Sequence, residues 1–131
     1  MRRLRHISIA LFCIYVIAVI LLCVIKTESL PELPKSFFGI PLDKMVHFLM
    51  FMPFPVLGYM SFKPYNKGSS WKDFAVLAVL CILGAGFALS TEKIQSLTSY
   101  RSYEQADVLA DFIGLSTGAL MVLILIFRKQ R

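Results

Sequence analysis

Residues 7–25 read ISIALFCIYVIAVILLCVI, nineteen consecutive positions without a charged side chain. As an α-helix, rising 1.5 Å per residue, the run spans about 28 Å, enough for the hydrocarbon core of a bilayer. MRRLRH stands in front of it. A signal peptide is the competing reading, but its apolar region would be shorter and followed by a small-residue cleavage site. Neither feature is present, and Leu22 before Cys23 is not the small residue that a lipoprotein signal wants. The run is therefore read as a retained membrane-spanning helix.

The rest of the chain fits the same solvent. Of 131 residues, 57% are hydrophobic, and the mean hydropathy is +0.70. A soluble domain carries roughly 45–50% apolar residues, so this short chain has more apolar surface than a single aqueous core can hide. Three more apolar runs follow, at Met45–Phe62, Phe74–Leu89 and Val108–Phe127. The second contains Pro53 and Pro55, which predict a kinked helix, tolerated where bundle neighbours satisfy the freed carbonyls. The third is short, and is expected to continue through STEKIQ so that its end leaves the membrane carrying Glu92 and Gln95. The fold class expected is all-α: one polytopic membrane domain over 1–131, with four helices at about 7–25, 45–62, 74–95 and 108–127. Cys13, Cys23 and Cys81 all lie in apolar runs, with neither metal-like spacing nor an even-numbered framework. Free thiols packed as small hydrophobes are expected.

Four spans put both termini on one side. Arg2, Arg3, Arg5, Lys63, Lys67, Lys72, Arg128, Lys129 and Arg131, nine of the fourteen Lys and Arg, fall at the N-terminus, the middle loop and the tail. The two other loops and their flanks hold seven of the eight acids. The positive-inside rule then predicts an N-in/C-in protein. The net charge of +6 belongs to this pattern; the basic residues sit at segment ends rather than on one interleaved face, and no nucleic-acid partner is expected.

The same topology gathers polar residues at the outer face. Asp43 and His47 are four apart at the start of the second helix, with Lys44 beside them. Glu92 and Gln95 share a face at the end of the third helix, and Asp107 and Asp111 share one at the start of the fourth. Asp111 lies one turn inside an apolar run, where a carboxylate costs about 2.5–3.5 kcal/mol and needs a partner within the bundle. Arg101, between the third and fourth helices, suits bidentate contact with these acids. Each residue also has a plain structural reading: Asp43 and Asp107 as helix caps, Glu92 and Arg101 as a solvated ion pair, His47 as a hydrogen-bonded bundle residue. Their convergence on one side favours a site. Gly84, Ala85, Gly86 and Gly114-x-x-x-Gly118 allow close helix packing beneath it. Phe37, Phe38, Tyr100 and Tyr103 fit an interfacial aromatic belt, or else a groove for a lipid tail. With one His in the set and no ligand motif, no metal or other cofactor is expected.

Taken together, DKMVHF (43–48), EKIQ (92–95), Arg101 with Ser102 behind it, and DVLADFIG (107–114) resemble the VanZ-like family of bacterial membrane proteins. The resemblance runs from Asp43 to Gly118. It implies a small multi-spanning protein of the bacterial inner membrane, in a family whose namesake is associated with low-level teicoplanin resistance. The positions that match are Asp43, Lys44, His47, Glu92, Gln95, Arg101, Asp107 and Asp111.

Three functions follow as expectations. The favoured one is an envelope protein that binds or acts on a lipid-linked precursor or lipoglycopeptide among the membrane lipids. Glu92, His47 and Asp107 would then be the acid-base or orienting groups, with Asp43, Lys44, Gln95, Arg101 and Asp111 contacting the ligand. The alternative is a non-catalytic scaffold or regulator whose polar cluster locks helix ends and docks a partner. A transporter is disfavoured because polar residues occupy one end only, an objection that a homo-oligomer could evade.

Overall fold

The computed structural model describes residues 2–25, 36–63, 70–98 and 103–130. Its elements are α1 (Arg2–Val24), a hairpin of β1 (Ser36–Phe37) and β2 (Ile40–Pro41), α2 (Leu42–Phe51), α3 (Pro53–Phe62), α4 (Ser70–Ser96) and α5 (Gln105–Gln130). Four helical stretches are long and apolar enough to cross a membrane: Arg3–Val24, Leu42–Phe62, Trp71–Ser96 and Gln105–Lys129. The protein is thus an all-α, multi-pass membrane protein, as its apolar runs predict.

The second span is divided at Met52 into α2 and α3, although Met52 keeps helical dihedrals (φ −59°, ψ −39°) and donates its N–H to the Phe48 carbonyl. Pro53 and Pro55 have no N–H to give to the carbonyls of Leu49 and Phe51, four residues back. In this turn the Met50 carbonyl accepts a hydrogen bond from Tyr15 Oη of α1. That carbonyl lies between the two that lack a proline N–H, and the bond ties α1 to the break in the second span.

The remaining helices run longer than their apolar cores, because polar residues extend them past the hydrophobic stretch. The third continues through STEKIQ to Ser96, and the fourth starts three residues earlier than expected, at Gln105. The hairpin ahead of α2 turns on Phe38 and Gly39, both at positive φ (52° and 79°), as in a type I′ turn. Phe38 and Tyr103 of the expected aromatic belt are exposed. The side chain of Phe37 and all of Tyr100 lie outside the described residues, as do Lys67 and Arg131 among the charges used to argue orientation.

Two apolar clusters hold the bundle together. One gathers Phe54, Tyr59, Leu77, Leu80, Leu115, Val122 and Ile126; the other gathers Val19, Cys23, Met50, Phe51 and Ala88. Phe12 on α1 meets Phe54 edge-on at 5.3 Å between ring centroids, and Phe62 at 6.0 Å, in the geometry aromatic pairs prefer. Phe12 thus faces the end of α3 while Val19 and Cys23 face Met50 and Phe51, so α1 runs antiparallel to the second span. The outer side of α1 exposes Ile7, Leu11, Ile14, Ile17 and Leu21, which in water would be a liability and in lipid is ordinary. The cysteines are free.

The closest helix approach positions the site. A Cβ on Gly114 would collide with the Phe48 carbonyl, and one on Gly118 with the Met52 carbonyl. The GxxxG of α5 therefore seats the backbone of α2 directly, within one chain. Phe48 over Gly114 and Met52 over Gly118 make the two helices parallel and fix their register.

Candidate functional site at one end of the bundle

With that register set, His47, one residue before Phe48, faces Asp111, three before Gly114. His47 Nδ1 lies 2.9 Å from Asp111 Oδ1. Against an ionised carboxylate, which only accepts, Nδ1 is the donor, and a neutral imidazole then keeps its lone pair on Nε2. Nε2 stands 3.6 Å from Asp107 Oδ2, too far for a hydrogen bond. Asp107 is one turn before Asp111, which is why the four-residue spacing in the sequence places both carboxylates against one imidazole.

Lys44, one turn before His47, closes the site from outside. Its Nζ contacts Asp43 Oδ2 at 2.8 Å, Glu104 Oε2, and Asp107 Oδ1. Asp107 thus divides its oxygens, one toward Lys44 and one toward His47. The lysine ties α2 to the start of α5 in a partly buried network, where charge pairs are screened less than on an open surface.

Helix α4 supplies the third wall. Glu92 is 1% exposed and Gln95 3%. A carboxylate buried to that degree is rare unless it is paired. Glu92 Oε1 accepts the Glu104 backbone N–H at 2.8 Å, so it also stabilises the start of α5, where a negative charge favours the helix dipole. A carboxylate oxygen of Glu92, one of Asp107 and a ring nitrogen of His47 all lie within 4.8 Å of one another. Asp111 is wholly buried, and its Oδ2 has no hydrogen-bond partner among the described residues.

Seven of the eight residues singled out in the sequence thus fall at this end of the bundle: Asp43, Lys44, His47, Glu92, Gln95, Asp107 and Asp111. Arg101 lies outside the described residues. Two local expectations need correction. Asp43 does not cap its helix: Pro41 takes the N-cap position without a side-chain hydrogen bond, and Asp43 is the second residue of α2, turned to Lys44. Asp107 is likewise in the first turn of α5, which starts at Gln105. Asp107 is instead engaged across helices with Lys44 and His47, while Asp43 pairs with Lys44 on its own helix. Glu104 was not singled out, because one charged residue before a helix gives no sign that it will meet a lysine sixty positions away. Tyr15 went unnoticed for a similar reason: nothing in an apolar run announces a hydroxyl's partner.

The other end of the bundle is simpler. Asp73, 2% exposed, accepts hydrogen bonds from Tyr59 Oη at 2.8 Å and from Lys129 Nζ at 3.0 Å. This small lock joins α3, α4 and α5, with a cation already paired to the acid.

No curated protein and no solved structure matches the chain. A family model described as VanZ/LLP1 matches residues 11–127, a stretch that begins within α1, ends near the close of α5, and includes every residue of the polar cluster. The chain belongs to the VanZ/LLP1 family.

Proposed function

We propose that the protein binds or acts on a lipid-linked or lipoglycopeptide ligand of the cell envelope, at the outer leaflet of a bacterial inner membrane. The observation that carries this reading is the gathering of buried His47, Glu92, Asp107 and Asp111 at one end of the bundle, where the opposite end has, among the described residues, the single buried acid Asp73. Burying such groups is costly, and polar residues inside membrane proteins mark functional sites by default. Lys44 and Arg101 supply positive charge for an anionic headgroup. Glu92, Asp107 and His47 orient the ligand or exchange protons with it. The apolar flanks of the helices suit the ligand's lipid tail. The basic residues at the opposite end, Arg3, Arg5, Lys63, Lys72, Arg128 and Lys129, support an extracytoplasmic placement of the cluster. With this placement, resistance to a lipid-tailed glycopeptide such as teicoplanin is the expected phenotype.

The test is growth of a sensitive bacterium on teicoplanin and on vancomycin, comparing wild type with Glu92→Ala and Arg101→Ala at matched membrane levels. Resistance to teicoplanin alone, lost in variants that accumulate normally, is the expected result. One observation favours a second reading, a scaffold: Lys44 joins three acids and thereby pins α2 to α5. If the variants fail only because they do not accumulate, the scaffold takes precedence.

A further inference from the structure

We propose that His47, Glu92 and Asp107 form a binding site for one divalent transition-metal ion of the zinc or manganese class, with Asp111 as the carboxylate that orients the histidine. The proposal rests on the geometry of the cluster and not on the identity of any envelope ligand.

Three observations carry it. First, one donor atom from each of His47, Glu92 and Asp107 lies within 4.8 Å of the others, and all three residues are buried. Bonds of about 2.0–2.2 Å at tetrahedral angles put neighbouring ligand atoms about 3.4 Å apart, and His47 Nε2 stands 3.6 Å from Asp107 Oδ2. That separation is too long for a hydrogen bond and suited to two ligands of one ion. Second, His47 Nδ1 is held by Asp111 Oδ1 at 2.9 Å. This is the carboxylate–histidine arrangement that fixes the tautomer of a metal-bound imidazole and aims its free nitrogen at the ion. Third, Asp111 is fully buried and its Oδ2 has no hydrogen-bond partner among the described residues. This buried carboxyl faces the imidazole from the Nδ1 side, so when ionised it adds negative charge behind the nitrogen that would meet the ion.

The donor set narrows the ion. One imidazole nitrogen with carboxylate oxygens suits zinc or manganese; magnesium and calcium prefer all-oxygen shells. Three protein ligands leave a position open for water or a ligand oxygen, as sites that bind substrate do. A second acidic trio, Asp43, Glu104 and Asp107, is not a candidate, because Lys44 Nζ already contacts all three. Sequence spacing gave no hint of the inner site: its ligands come from three helices, with one residue from each.

The test uses the full chain, purified in detergent, stripped with a chelator and dialysed against zinc or manganese. The expected result is one tightly bound ion per chain and a raised melting temperature. His47→Gln and Asp107→Asn should abolish binding. Asp111→Asn should weaken it by about 10–100-fold, the usual cost of losing an outer-shell carboxylate. Asp73→Asn, at the other end of the bundle, should bind as wild type. Should the ligand variants fail to fold, cobalt added to the wild-type protein decides the matter: an intense visible band from a four- or five-coordinate nitrogen–oxygen site supports the proposal. Wild-type protein that takes up no ion, or folded His47→Gln that binds as wild type, overturns it. A chain that binds no ion while its Glu92 and Arg101 variants still lose teicoplanin resistance defeats the metal site alone. A bound ion without any resistance phenotype defeats the envelope reading alone.

Discussion

His47 and Asp111 form the innermost polar pair of the protein, and their energetics are asymmetric. Joined at 2.9 Å, Nδ1 of one and Oδ1 of the other satisfy each other among buried residues. Removing one partner strands the other, at a cost of about 1–3 kcal/mol for a buried hydrogen-bonding group. His47→Leu and Asp111→Leu should therefore each lower the melting temperature in detergent, whereas the double substitution should recover much of the loss. Additive losses would mean that the two residues act independently and that the pair is not a unit. The pairing was half legible in the sequence. The four-residue spacings of Asp43 with His47 and of Asp107 with Asp111 announced shared faces. That those faces meet was inferred from topology and not from spacing, since sixty-four positions separate the two partners. The roles given to Asp43 and Asp107 as caps failed because proximity to a helix start is a local signal, and it gave way to Lys44, which holds Asp43 on its own helix and Asp107 across from it.

Between α2 and α5 the contact is backbone against backbone. Gly114 and Gly118 leave no room for a Cβ beneath the carbonyls of Phe48 and Met52, and neither carbonyl is the movable end of a flexible side chain. Gly118→Leu should force the helices apart, destabilise the protein by about 1–3 kcal/mol as overpacking does, and separate His47 from Asp111. Gly86 is the control: it also lies in a span, but nothing stands within 4 Å of the Cβ it would gain. Gly86→Ala should leave stability within about 1 kcal/mol of wild type. Melting curves of the two variants check this, and equal behaviour would contradict the packing. At this scale much was readable. Long apolar runs fixed the spans, two prolines marked the break at Met52, and the glycine spacing signalled close approach. Which helix fills the glycine groove was not readable, because GxxxG specifies a surface and not its occupant.

The two ends of the bundle differ in kind, and that difference bears on how the molecule sits in its membrane. At the Asp73 end one buried acid is matched by Tyr59 and Lys129, which is what a lock between three helices requires. At the His47 end there are more acids than a lock needs, and one buried carboxylate oxygen has no hydrogen-bond partner among the described residues. Basic residues are concentrated at the first end and acids at the second, a distribution from which the positive-inside rule predicts that the Asp73 end faces the cytoplasm. A membrane-impermeant thiol reagent tests this in a background without Cys13, Cys23 and Cys81. Tyr103→Cys, beside the acidic cluster, should label in intact cells; Lys63→Cys, past the end of α3, should label only after the membrane is opened. The reverse pattern would turn the cluster toward the cytoplasm. A glycopeptide confined to the outside could then not reach it, and the ligand would have to be sought among molecules of the inner leaflet. Orientation thus decides more about function than any single distance in the site, because it sets which side of the membrane can deliver a ligand to His47.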